Sequence, residues 1–402
     1  MPPNVQDALA RRVAANGDRF QKVKEDDHYF YNQPVEELIG GARVRVNGRE
    51  MSMFASYSYL GLINHPRINA AAHHALDNYG TGTHGVRTLA GTLPIHRELE
   101  NTIALFKQAE DAVTFSSGYV TNLSVISALV SRGDVVFSDK LNHASILDGC
   151  LMSNASLVRF PHNDMAALEQ RLQEAPTEAA RLVVVDGVFS MDGDITDLPA
   201  LTHLCKKYNA WLMVDEAHSV GVLGKTGRGV EEHFNLPGVV DIKMGTLSKT
   251  IPSIGGYVAG SKELISYIRH TSRGYIFSAA LPPAQAAAAN EAFKVIDDEP
   301  WRLQILKENE DQFRLGLINA GFDTMNSETA ILPILCQADE TAFEMTRLCQ
   351  RSDVFILPVV SPAVPQNLAR LRATVTAAHK PEDISYAVEI IAAAGRKVGL
   401  IA

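Results

Sequence analysis

Cysteine and tryptophan are scarce here, at 4 and 2 of 402 residues. Cys150, Cys205, Cys336 and Cys349 form no CxxC pair and no Cys/His cluster, so neither a disulfide framework nor a metal site is expected. Long apolar runs are missing too, which argues against a membrane span. The start, Met1-Pro-Pro-Asn-Val-Gln-Asp7, has neither the basic residues nor the apolar core of a secretion signal. Basic tracts are absent, and 37 basic against 46 acidic residues leave a net charge of −9, the wrong sign for a nucleic-acid binder. The expectation is a soluble cytoplasmic protein with reduced thiols.

What is present is an alternation of strand and helix, long enough for more than one core. Short apolar runs at Ala112–Phe115, Asp134–Ser138, Leu157–Phe160, Leu182–Asp186, Trp211–Asp215, Ile242–Thr246 and Gly256–Ala259 read as strands, mostly apolar on both faces. Such strands predict an α/β fold with a mostly parallel central sheet covered by helices on both sides. Further strands are expected at Ile331–Cys336, Val354–Pro358 and Leu368–Val375, with a last helix from Pro381 to Val398. The division predicted is an amino-terminal helix and arm over 1–53, a large domain over 54–284 and a smaller α+β domain over 285–402.

Four segments carry the candidate chemistry. Lys249, in Gly245-Thr-Leu-Ser-Lys249, falls past the carboxyl end of a strand beginning near Val239, where open α/β sheets bind ligands. A lysine screened from water there becomes an amine nucleophile, with Thr246 and Ser248 as hydroxyls for a phosphate. The strand Trp211–Asp215 delivers a carboxylate, with His218 three residues on. A turn cap would explain Asp215 alone, whereas a pyridinium nitrogen would explain it together with a Schiff-base lysine. His143, after the strand Asp134–Ser138, is placed to lay its ring on a planar heterocycle, and Ser116-Ser117-Gly118-Tyr119 opens a helix whose first N–H groups suit an anion. The GxGxxG match Gly80-Thr-Gly82-Thr-His-Gly85 follows helical sequence, Ile68 to Asn78, instead of a strand, so a dinucleotide site is not expected.

Taken in order, Ser116-Ser-Gly-Tyr119, Leu141-Asn-His-Ala-Ser-Ile146, His162-Asn-Asp164, Asp186-Gly-Val-Phe-Ser-Met-Asp-Gly193, Val214-Asp-Glu-Ala-His-Ser219, Gly245-Thr-Leu-Ser-Lys249 and Ala369-Arg-Leu-Arg372 with Thr376-Ala-Ala-His379 resemble the signatures of the α-oxoamine synthases. The resemblance runs from about Phe54 to His379. It implies the aspartate aminotransferase-like fold, pyridoxal 5'-phosphate as cofactor, and decarboxylative joining of an amino acid to an acyl thioester.

The resemblance also implies roles. Lys249 would hold the cofactor as a Schiff base and act as general base, Asp215 would keep the pyridine nitrogen protonated, and His143 would stack on the ring. His218 and Ser190 would meet the phenolic oxygen; Ser117, Gly118, Tyr119, Thr246, Ser248 and Ser278 would serve the cofactor, mainly its phosphate. Ser278 and the glycine-rich segment Gly80–Gly91 would work across the interface of a homodimer with shared sites. Arg370 would grip the substrate carboxylate. Ser58, in Ala55-Ser-Tyr-Ser-Tyr-Leu-Gly61, stands where relatives often carry asparagine, a departure that favours serine or alanine over glycine as substrate. The acyl carrier, coenzyme A or a protein, is not legible. An aminotransferase or carbon–carbon lyase would share the lysine, aspartate and phosphate site; a non-catalytic partner subunit would lack the lysine.

Overall fold

The structure, a computed structural model, describes residues 5–25 and 28–402. The amino-terminal reading therefore includes residues 1–4 and 26–27, which lie outside the described residues. A helix spans Val5–Glu25. Three strands follow, β1 (Glu37–Ile39), β2 (Arg43–Val46) and β3 (Arg49–Met53). They were not anticipated, although Asn47-Gly48 between alternating residues is a strong hairpin signal. Both turn residues adopt positive φ, 51° and 72°, as the tight turn requires.

Seven strands build the central sheet: β4 (Asp111–Phe115), β5 (Val135–Asp139), β6 (Ser156–Phe160), β7 (Arg181–Asp186), β8 (Trp211–Asp215), β9 (Ile242–Ser248) and β10 (Pro252–Gly260). Their order is β4-β10-β9-β8-β7-β5-β6, and only β10 runs against its neighbours. Val135 to Asp139 are buried throughout, as are Leu182 to Asp186 and Leu212 to Asp215, as expected where helices cover both faces. β5, β7, β8 and β9 run parallel, so their carboxyl ends lie side by side, and β9 turns directly into antiparallel β10. The register pairs Asp186 with Asp215 and Asp215 with Met244, which sets two carboxylates on adjacent strand ends.

The carboxyl-terminal part adds β11 (Ile331–Gln337), β12 (Val354–Phe355), β13 (Leu357–Val359) and β14 (Ala369–Thr374). The single strand expected over Val354–Pro358 is two. β12 pairs in parallel with β3, while β13 pairs antiparallel with β14 in the order β11-β14-β13. The buried Ile356 lies where the chain changes sheets. Through β12 the amino-terminal arm is built into the carboxyl-terminal body, and His379 stacks on Phe54 at a centroid distance of 4.4 Å. The strand expected from Val239 starts at Ile242; Asp241 instead accepts the Leu212 amide through its side chain at 2.8 Å.

Candidate active site

The loops past β4, β5, β7, β8 and β9 enclose a cavity of about 250 Å3 with Lys249 in its wall. Helix Gly118–Leu129 points its start into it. Ser117 caps that helix by accepting the Val120 amide at 3.1 Å. A Cβ on Gly118 would lie 2.9 Å from Thr246 Oγ1, so glycine lets the helix start close on β9. Thr246 and Ser248 hydroxyls are 2.9 Å apart beside it. Small side chains, a helix amino terminus and two hydroxyls form an anion cradle.

Deeper in the cavity stands Asp215, 5% exposed. Its carboxylate accepts from Asn122 Nδ2 at 2.7 Å and from the Ala217 amide at 2.9 Å. The turn-cap reading of Asp215 is thus present in the bond to Ala217, yet the group also faces the cavity. Asn122 bridges on to Ser145 at 2.9 Å. His143 lines the same cavity. Its amide donates to Asp186 at 3.0 Å and Nδ1 meets Ser145 Oγ at 2.7 Å, which fixes the ring plane. Tyr119 places its ring edgewise to His143 at 6.2 Å and hydrogen-bonds Asp148. Burial, reinforced by the neighbouring Asp215 charge, raises the Asp186 carboxyl well above its usual range. Burial lowers the His143 imidazole, against the pull of Asp215.

Lys249 Nζ lies 2.8 Å from His218 Nε2 and 5.7 Å from the centroid of the Tyr57 ring. Burial brings its ammonium down from 10.5 to about 8; Asp215 and Asp186 oppose the shift and Arg372 assists it. His218 is 6% exposed, and burial, then the Lys249 and Arg372 charges, hold it well below the usual histidine range. A lysine of this kind is available as a nucleophile or base near neutral pH.

The structure places the two arginines of β14 differently. Arg370, 2% exposed, is committed elsewhere: it pairs with Asp192 and donates to the Leu368 carbonyl at 3.0 Å. Arg372 is the guanidinium nearer Lys249, stacked 4.8 Å over Tyr57. It donates to the Ser190 carbonyl at 2.6 Å and to Thr374 Oγ1 at 3.0 Å, while its buried Nη2 has no partner. Both residues share one face of β14, so alternation could not separate them; the position of Asp192 does.

Ser58 Oγ is buried without a partner, in the wall of a second cavity of about 470 Å3 that shares Ser248 and Lys249 with the first. Ser190 lines the first cavity. Ser278 does not line it; its hydroxyl lies 3.5 Å from Ser116 of the same chain. Tyr57, Tyr59, Asn122, Ser145, Asp186 and Arg372 were not singled out from sequence. The signals available were the Tyr57 and Tyr59 pair inside Ala55-Ser-Tyr-Ser-Tyr-Leu-Gly61 and the signature segments that contain Ser145, Asp186 and Arg372; Asn122 had none.

The residues present fit pyridoxal phosphate. The cradle at Gly118 matches a phosphate, the buried Asp215 matches a ring nitrogen that must stay protonated, His143 offers a flat ring, and Lys249 offers the amine. Among the described residues, no helix is long and apolar enough to cross a membrane.

Comparison with known proteins agrees with this geometry. The family aminotransferase class I and II matches residues 49–391. The 8-amino-7-oxononanoate synthase of Geobacter sulfurreducens is 46% identical over 397 residues, covering 98% of this chain and 100% of that protein. The enzyme of the same name from Thermoanaerobacter pseudethanolicus is 45% identical over 368 residues, 91% and 93% of the two chains. Among solved structures, Sphingomonas wittichii serine palmitoyltransferase superposes with a TM-score of 0.95 at 32% identity, over 98% of this chain and 99% of that one. A serine palmitoyltransferase with a PLP internal aldimine gives 0.94 at 34% identity, over 98% and 99%. The chain belongs to the aminotransferase class I and II family and, within it, to the α-oxoamine synthases, pyridoxal phosphate-dependent acyltransferases that condense an amino acid with an acyl thioester.

Proposed function

We propose that the protein condenses a small amino acid, serine or alanine ahead of glycine, with an acyl thioester on coenzyme A or acyl carrier protein, releasing carbon dioxide and free thiol and leaving an α-aminoketone. The observation that carries this reading is the meeting of Lys249 and Arg372 on the Tyr57 ring, which sets a proton acceptor beside a carboxylate-binding cation.

Pyridoxal phosphate, when bound, supplies an aldehyde for the substrate amine and a protonated ring that takes up the electron pair left at Cα. The protein does the rest. Gly118 and Tyr119 amides with Thr246 and Ser248 hydroxyls would hold the phosphate, and Asp215 would hold the proton on the ring nitrogen. His143 would present its ring to the heterocycle, and His218 and Ser190, which line the same cavity, would meet its phenolic oxygen. Arg372, with Nη2 unpaired, receives the amino-acid carboxylate and so orients the Cα–H bond toward Lys249 Nζ, which takes the proton. The second cavity, which shares Ser248 and Lys249 with the first, receives the acyl group. Ser58, smaller than the asparagine often found there in relatives, widens the space beside Lys249, which supports serine or alanine ahead of glycine. The active unit is a C2 homodimer in which Ser278 and the segment 80–91 serve the partner's site, a reading supported by Ser278 standing outside the cavity of its own chain.

The test is the stoichiometry of thiol, carbon dioxide and aminoketone across a panel of amino acids and acyl donors. Equal amounts of the three are expected. Transamination of a 2-oxo acid without thiol release would replace the synthase with an aminotransferase.

A further inference from the structure

His218 is engaged at both ring nitrogens. Tyr59 Oη lies 2.6 Å from Nδ1 and Lys249 Nζ lies 2.8 Å from Nε2, so three titratable side chains form one chain. Tyr59 is fully buried and His218 nearly so. Burial pushes the Tyr59 phenol up to about 12 despite the nearby Arg372, so Tyr59 keeps its hydrogen. Burial, the largest cause, with the Arg372 charge beside it, keeps His218 neutral, with one donor and one acceptor nitrogen.

Two arrangements satisfy that rule, and they are not equivalent. If Nδ1 carried the hydrogen and donated to Tyr59, the phenolic hydrogen would have no acceptor, because the other group that meets the Tyr59 hydroxyl, the Arg372 guanidinium, can only donate. Leaving a buried donor unpaired is costly. If Tyr59 donates to Nδ1, every hydrogen in the chain is placed. The imidazole then carries its hydrogen at Nε2, pointed at the lysine nitrogen. An ammonium offers no lone pair to that donor; a free amine does.

We propose that Tyr59 is a positioning residue that fixes His218 as the Nε2–H form and thereby holds Lys249 as a free amine. This rests on the reading of Lys249 as the base and extends it to the residue that keeps the base uncharged. The other groups facing Lys249 are Asp215 and Asp186, which favour its charge, and Arg372, which opposes it; Tyr57 adds its ring face, and His143 lines the same cavity. The Nε2–H donor tips this balance further toward the amine. Once Lys249 has taken the Cα proton it becomes an ammonium facing a donor, which favours handing the proton back.

The tautomer is read directly by nitrogen-15 NMR of the full-length, histidine-labelled enzyme, with the His218 signals identified by their loss in His218→Asn. Cofactor-loaded and cofactor-stripped samples are both measured, so the result is independent of turnover. The expected result is the Nε2–H form in both. The companion measurement is the pH midpoint for labelling Lys249 with an amine-reactive anhydride in the stripped enzyme, read by mass spectrometry. Tyr59→Phe is expected to raise that midpoint by about one pH unit and to abolish the single-tautomer pattern. A wild-type Nδ1–H form, or an unchanged midpoint in Tyr59→Phe, overturns the proposal. If Tyr59→Phe does not fold, the wild-type tautomer alone decides. Failure of the acyltransfer assay with an Nε2–H result would sink the substrate reading and leave this one standing.

Discussion

The Arg372 guanidinium lies 4.8 Å over the Tyr57 ring, and the same ring has Lys249 Nζ at 5.7 Å. Tyr57 thus fixes the spacing between the cation for the substrate carboxylate and the amine for the Cα proton. A flat ring does this without competing for the proton, since it offers only its electron-rich face.

Arg372 and Arg370 are expected to separate by phenotype. Arg372→Ala raises KM for the amino acid by roughly 10- to 100-fold with cofactor still bound, because a bidentate partner of the carboxylate is lost. Arg370→Ala leaves Asp192 without its cation and lowers stability by about 2–3 kcal/mol, with KM changed much less. Steady-state kinetics and denaturant melts on both variants check this. Equal KM effects would return Arg370 to the substrate.

Lys249→Ala is expected to lose the yellow colour of the lysine-bound cofactor and all turnover, while circular dichroism and melting temperature stay near wild type. The side chain sits at a cavity wall, so its truncation opens space without stripping a packed core. Retained activity would remove Lys249 from the mechanism.

Asp215→Asn keeps the size of the side chain and one oxygen for the Ala217 amide, turns the group facing Asn122 into a donor, and removes the charge that would hold the ring nitrogen's proton. Cofactor is expected to stay bound while kcat falls by at least about 100-fold, the usual scale for losing a preorganised charge in a dry site. The decisive comparison is bound-cofactor absorbance against turnover in the same sample.

His162 provides a pH-dependent contribution to stability. Burial disfavours its charge, but Asp139 and Asp194 outweigh that and raise it from 6.5 to about 10. A histidine whose folded value is raised contributes stability that is complete below about pH 6.5 and is lost as pH climbs through about 10. His162→Gln is therefore expected to cost about 2 kcal/mol at pH 6 and much less at pH 10. Urea unfolding at both values measures the difference; an equal cost at each would mean the charge contributes nothing. The same contact anchors the loop that carries Ser190 and Asp192, so activity should fall alongside stability.

The strands of the central sheet were legible because both faces are buried, which leaves short apolar runs that end in charged or small residues at Asp139, Asp186 and Asp215. The β2–β3 hairpin was legible in principle from Asn47-Gly48 but lay in a stretch of mixed charges, Arg43 to Glu50, that hides alternation. The division of Val354–Pro358 between two sheets was not legible, since a switch of partner leaves no mark on local composition.

The sequence by itself determined the chemical inventory: an amine at a strand end, a carboxylate on the neighbouring strand, hydroxyls and glycine at a helix start, and an imidazole three residues past the carboxylate. Each follows from local rules, because strand ends and helix starts place their own side chains. Tertiary structure decided which groups meet. Arg370 and Arg372 share a face of one strand, and only Asp192, 178 residues from Arg370 in the chain, assigns one to an internal ion pair and leaves the other toward Lys249. Tyr59 reaches His218 across 159 residues. Such contacts depend on how the arm, the large sheet and the carboxyl-terminal strands pack together, and no local pattern encodes that distance.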